Sequence, residues 1–133
     1  MGQDWDVNDP DLIKRYWRQY QLSLSDAVAD REAADTLFQV WEEVNEAAQF
    51  GRAGVVELLV ALAEAAPDDL ALATLGAGPI EDLITSHAEE FVDELDDAAR
   101  RSSPFRTALR NVWYDESVDA SIRGRLQRFG TPL

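Results

Sequence analysis

The sequence predicts an all-α protein: six or seven helices stacked as antiparallel hairpins, forming an irregular bundle or a short HEAT-like solenoid. Three observations lead there. Apolar residues recur at intervals of three and four, the spacing that gathers them on one helical face. No stretch of useful strand length alternates apolar with polar residues. Glycine, proline and serine fall at the joints between apolar stripes rather than in a long linker, so connections are short and consecutive helices are expected to lie antiparallel. No repeat of fixed period supports the solenoid beyond this hairpin pattern.

The first helix is expected to start at Asp9-Pro10, with the aspartate as cap and the proline at the first helical position, where its missing N–H costs nothing. Ile13, Tyr16, Trp17 and Tyr20 form its apolar stripe. A second, long helix runs from about Asp26 or Asp30 to Gln49. It places Leu37, Phe38, Trp41, Val44 and Ala48 on the buried face and Glu42, Glu43 and Glu46 opposite. Phe50-Gly51 ends it, because glycine adopts the left-handed terminal conformation most cheaply. Val55 to Ala66 is apolar almost all round, as a helix packed on several sides is, and is the expected centre of the core.

Pro67 stops that run, and Asp68 to Leu75 reads as a short helix leading into Gly76-Ala77-Gly78-Pro79. The next helix, Pro79 to about Arg101, carries Ile80, Leu83, Ile84, His87, Phe91, Leu95 and Ala98 at helical spacing. Ser103-Pro104 repeats the cap-then-proline start, followed by a stripe of Phe105, Ala108, Leu109, Val112 and Trp113. Ser117 is expected to cap a last helix holding Val118, Ile122, Leu126 and Phe129, before Gly130 and Pro132. Trp17, Trp41, Trp113, Tyr16 and Tyr114 are expected in the core or at its edge. Trp5, in an acidic stretch outside any stripe, is expected to fold back on the domain.

A chain of 133 residues is the size of one domain, here 1–133 with 1–8 as a flexible tail. With no cysteine and one histidine, a disulfide framework, a thiolate site, a cysteine nucleophile and a polyhistidine cage are all excluded. The start MGQDWDVNDPD has neither the basic nor the apolar region of a secretory signal, so a cytoplasmic location is expected. The longest apolar run, Val55 to Ala66, is too short for a membrane span and is broken by Glu57 and Glu64. The formal net charge of −14 opposes direct binding to DNA or RNA, which is held through lysine and arginine clusters, and favours a basic protein partner.

The stretch LGAGPIEDLITSH at residues 75–87, with RYW at 15–17 and PFRTALRNVW at 104–113, resembles an uncharacterised family of small bacterial helical proteins. In that family a glycine-alanine-glycine-proline turn is followed by an acidic pair, leucine-like residues and a histidine. Ala88 departs from the glycine expected after the histidine. The resemblance implies a helical fold and a bacterial source, and carries over no catalytic residue and no cofactor.

Two sets of residues are candidates for function. The first is the acidic run Glu89, Glu90, Asp93, Glu94, Asp96 and Asp97, which has no lysine or arginine within it. On a helix its like charges lie one turn apart, at about 0.3 kcal/mol of repulsion per pair. A cationic partner relieves that repulsion, and so do the chain's own Arg100, Arg101, Arg106 and Arg110. The partner reading makes the protein a non-enzymatic interaction module, of the kind exemplified by immunity proteins or antitoxin-like inhibitors that mask a basic protein such as a nuclease toxin.

The second set is a possible pocket of Gly76, Gly78, Pro79, Glu81, Asp82 and His87. A glycine-rich turn at a helix start can cradle an anion. Here no strand precedes it, no Lys-Ser/Thr ending follows, Pro79 removes a donor, and Glu81 and Asp82 repel phosphate, so helix capping is the reading the residues favour. His87 on the apolar stripe reads as a partly buried histidine bonded to a neighbour; its alternative is a general acid or base tuned by Glu90 or Asp82. Ser86 cannot be its nucleophile partner, since adjacent helical residues point about 100° apart. No metal motif is present, and no catalytic residue is assigned. A regulatory or scaffold domain whose acidity serves solubility is the remaining expectation.

Overall fold

The structure, a computed structural model, describes residues 10–130 and contains helices and no strand among them. The fold is all-α, as the apolar spacing predicts. Asp9, Trp5, Pro132 and the expected tail 1–8 lie outside the described residues. In chain order the helices are α1 (Pro10–Ser23), α2 (Val28–Thr36), α3 (Phe38–Gln49), α4 (Val55–Glu64), α5 (Asp69–Leu75), α6 (Glu81–Arg101), α7 (Ser103–Leu109) and α8 (Ala120–Gly130).

α1 buries Leu12 and Leu22 as well as Tyr16, Trp17 and Tyr20. The Trp17 indole N–H donates to the Leu62 carbonyl at 2.9 Å, and edge contacts with Tyr16 and Tyr20 hold the ring. The expected long second helix is in fact two. Leu37, with φ −94° and ψ 2°, leaves the helical conformation between α2 and α3. α2 packs on α1, whereas α3 packs on both α1 and α6, and one straight rod could not follow both neighbours. The break also changes which face is buried. Val40, Val44, Ala47 and Ala48 face the core, while Phe38 and Trp41, expected inside, are 42% and 37% exposed.

α3 ends as the Phe50-Gly51 pair suggests. Gly51 sits at φ 60°, and the N–H groups of Arg52 and Gly51 return to the carbonyls of Ala47 and Ala48, satisfying the last turn. α4 is buried on most sides through Val55, Val56, Leu58, Leu59, Leu62 and Ala63, so it is a core element as its composition predicts. Asp68 caps α5 by accepting from the Ala71 N–H at 2.8 Å.

The Gly76-Ala77-Gly78-Pro79 stretch is not a loop. Gly76–Ile80 forms a π-helical turn between α5 and α6, and the helical path breaks at a kink at Gly78 (φ −106°, ψ −105°), just before Pro79. A second bend follows at His87 (φ −139°, ψ 25°), inside α6. Ser102, one residue earlier than expected, caps α7 by accepting from the Phe105 N–H. Pro104 tolerates the shift because the first N–H groups of a helix have no acceptor within it. α7 stops at Leu109, so Val112 and Trp113 fall beyond it, and Trp113, expected at the core, is 77% exposed. Asp119, not Ser117, caps α8, accepting from the Ser121 N–H at 2.8 Å.

α6 lies at the centre of the packing, touching α3, α4, α7 and α8. One contiguous core extends from Leu12 on α1 to Leu126 on α8. Among the described residues no helix is long and apolar enough to cross a membrane.

Candidate functional site

The acidic run on α6 is largely committed to the protein's own cations. Asp96 is 3% exposed and is not part of an open docking face. Its carboxylate receives Arg100 Nε at 2.7 Å, Arg125 Nη2 at 3.0 Å and Arg128 Nη2 at 3.1 Å. Arg125 also reaches Asp93 at 3.0 Å, tying α8 to α6 through both carboxylates. Burial alone would push the Asp96 carboxyl up; the surrounding guanidiniums outweigh it and hold the group below the usual carboxylate range. Asp97 pairs with Arg101 at 2.9 Å, and Glu90 meets His87 at 3.1 Å. Of the six acids expected to face a partner, Glu89 and Glu94 are exposed with no ion pair among the described residues.

Of the four arginines expected to neutralise the run, Arg100 and Arg101 do so. Arg106 instead donates to the carbonyls of Ala99 and Arg100 at the end of α6. Arg125 and Arg128 complete the cluster from 29 and 32 residues away.

The second predicted set does not converge on one pocket. Gly76 and Pro79 are buried. A Cβ on Gly76 would lie 1.9 Å from the Ala108 carbonyl oxygen, so this glycine serves close approach of the π turn to α7. Glu81 accepts the Trp113 N–H at 2.6 Å. His87 borders a separate cavity of about 210 Å³, flanked by Glu89, Glu90 and Asp119.

Both imidazole nitrogens of His87 already face acceptors: Nε2 lies 2.8 Å from the Gln49 carbonyl oxygen and Nδ1 lies 3.1 Å from Glu90 Oε1. The arrangement suits the doubly protonated ring, and the hydrogen bonds to Glu90 and then Gln49 raise its pKa above the usual histidine value. A ring so engaged offers no free lone pair to a substrate. Gly51 makes room for it, since a Cβ there would come within 2.8 Å of the ring.

The His87 pair has a pH signature. A raised folded pKa contributes stability that is complete below the unfolded value of about 6.5 and is lost as pH rises through the folded value. His87→Gln keeps a donor for Gln49 but cannot charge. The stability difference between wild type and this variant is therefore expected to be larger near about pH 5.5 than near about pH 8.5. Because Glu90 is largely exposed, the change stays below about 1 kcal/mol. Urea unfolding at the two pH values measures it, and a difference independent of pH would show that His87 titrates alike in the folded and unfolded chain, so that the Glu90 and Gln49 contacts do not favour the charged ring.

A site that sequence reasoning missed lies on α3. Phe38 and Trp41 stack with centroids 5.1 Å apart and planes 23° apart, open to solvent. Trp41 leads into a groove of about 420 Å³ between α3 and the π turn, walled by Glu42, Glu46, Gly78 and Asp82. No cation lines it, and none pairs with Glu42, Glu46 or Asp82 among the described residues. Partial burial, then the neighbouring Glu81 charge, raises the Asp82 carboxyl above its usual range. Gly78 and Asp82, two members of the expected pocket, thus belong to a groove whose other wall is α3. The available signal was Phe38 and Trp41 standing on a helix that already has a complete core stripe in Val40, Val44, Ala47 and Ala48.

Among the described residues, no group of three or more histidine, cysteine or acidic side chains is placed to hold a metal ion. No curated protein and no solved structure matches the chain. A family model does match, over residues 54–131, from the α4 start through α8 and including His87 and the Asp96 cluster. The chain belongs to that family, a family of unknown function (DUF6869).

Proposed function

We propose that the protein is a non-enzymatic interaction module that receives a basic segment of another protein across the α3 groove. The observation that carries this reading is the solvent-open Phe38–Trp41 stack at the mouth of a groove walled by Glu42, Glu46 and Asp82. Aromatic anchors beside carboxylates suit a lysine- or arginine-bearing segment, through stacking, cation–π attraction and charge-assisted hydrogen bonds. The net charge of −14 adds long-range steering of a cationic partner. Within this class, the role we favour is an inhibitor that covers a basic protein such as a nuclease toxin, in the manner of an immunity protein or antitoxin. The engagement of both His87 nitrogens weighs against acid–base catalysis there.

The test is capture from the lysate of the encoding organism with tagged wild type, Trp41→Ala, the pair Glu42→Lys with Glu46→Lys, and the pair Glu89→Lys with Glu94→Lys. All five positions are at the surface, so circular dichroism should show an intact fold in each variant. A stoichiometric basic partner is expected, weakened by salt, reduced at least about tenfold by either α3 change and little affected by the α6 pair. A partner indifferent to the α3 variants, or none at all, overturns the proposal.

A further inference from the structure

The α1 surface is locally basic in a chain that is acidic as a whole. Twelve lysines and arginines stand against 26 acids in the chain, yet Lys14, Arg15 and Arg18 fall within five positions of one helix. They rim an apolar groove of about 450 Å³ whose floor is Ile13, Trp17, Ala65 and Pro67. Arg15 is paired with Asp11 at 3.0 Å, whereas Lys14 and Arg18 have no carboxylate partner among the described residues. The floor is fixed in advance. The Trp17 indole is held by its hydrogen bond to Leu62 and by edge contacts with Tyr16 and Tyr20, so a ligand would not have to order it.

We infer that this groove is a second docking site, for an acidic protein segment carrying one aromatic or aliphatic anchor. The anchor fills the apolar floor and covers its exposed carbon surface; the flanking carboxylates meet Lys14 and Arg18. Charge complementarity selects the occupant. A basic segment would set its cations against Lys14, Arg15 and Arg18, and a neutral apolar segment would bring no carboxylate to Lys14 and Arg18. The inference is independent of the α3 groove, which has the opposite charge and lies on another helix.

The experiment is a nitrogen-15 NMR titration of the full chain with three blocked pentapeptides: Asp-Asp-Trp-Asp-Asp, its Ala-centred analogue, and Lys-Lys-Trp-Lys-Lys. The acidic tryptophan peptide is expected to shift the amides of Ile13, Trp17 and Ala65. Its affinity is expected to fall at least about tenfold in the Lys14→Glu, Arg18→Glu double variant, and the Ala-centred peptide to bind at least about tenfold more weakly. The lysine peptide is expected to leave these amides in place. Absence of shifts at the three amides, or equal binding by the two acidic peptides, overturns the inference. So does binding that requires Trp5→Ala, because the groove would then belong to the chain's own Asp4-Trp5-Asp6 rather than to a partner.

Discussion

Replacing Gly76 with alanine is expected to destabilise the protein by about 3 kcal/mol, at the upper end for an added methyl group in a packed interior. The reason is the identity of the neighbour. A Cβ at this position would stand 1.9 Å from the Ala108 carbonyl oxygen and 2.9 Å from its carbon, and these are backbone atoms of α7 that cannot rotate away. Relief requires α7 to move off the π turn, which would loosen the packing of Phe105 and Leu109, both fully buried. Gly78→Ala is the matched control. It lies two residues away in the same turn, but nothing stands within 4 Å of its added carbon, and a change within about 0.5 kcal/mol is expected. Urea unfolding of the two variants decides the matter. Equal effects would mean that the glycines serve the bend of the chain in common, and that the approach to α7 is not what requires Gly76.

That contrast also marks where the sequence was legible. Apolar spacing identifies α1, α4 and α6, whose periodic residues face the core, because hydrophobic periodicity is written locally. Caps were legible to within one or two residues: Ser102 replaces the expected Ser103 and Asp119 the expected Ser117. The break at Leu37 was not legible, since no glycine or proline marks it and its cause is the divergence of α1 and α6 as neighbours. Gly76-Ala77-Gly78-Pro79 carries the composition of a loop, yet Gly76 keeps helical angles and its role depends on Ala108, 32 residues later in the chain.

The candidate site was less legible than the fold for the same physical reason. Like charges on α6 advertise an open acidic face, but Arg125 and Arg128 arrive from α8 through tertiary packing. Trp41 has the hydrophobicity of a core residue, and only the burial of Val40 and Val44 in its place reveals it as a surface aromatic. The acids that remain open to a partner beside an aromatic anchor, Glu42, Glu46 and Asp82, come from two helices far apart in sequence.

Asp96→Asn is expected to cost about 2 kcal/mol, because it removes the one buried charge around which Arg100, Arg125 and Arg128 converge. The loss stays below that of a fully buried pair, since the three guanidiniums are 42% to 64% exposed and water can take them up. Asp97→Asn, which breaks an exposed pair with Arg101 one turn along, is expected to cost no more than about 0.5 kcal/mol. The acid dependence has a definite sign. With its folded pKa lowered, Asp96 contributes stability fully present above the unfolded carboxyl value of about 3.9 and lost as pH falls through the folded value. The gap between wild type and Asp96→Asn is therefore constant near neutrality and narrows in acid below about pH 4. Denaturant unfolding across that range measures both features; a gap that widens in acid, or an Asp97→Asn effect as large as that of Asp96→Asn, would refute the assignment of Asp96 as the anchor of α8. Charge reversal at Asp96 consequently reads out the attachment of α8, not partner binding. Reversal at Glu42 and Glu46, which have no ion pair among the described residues, separates docking from folding.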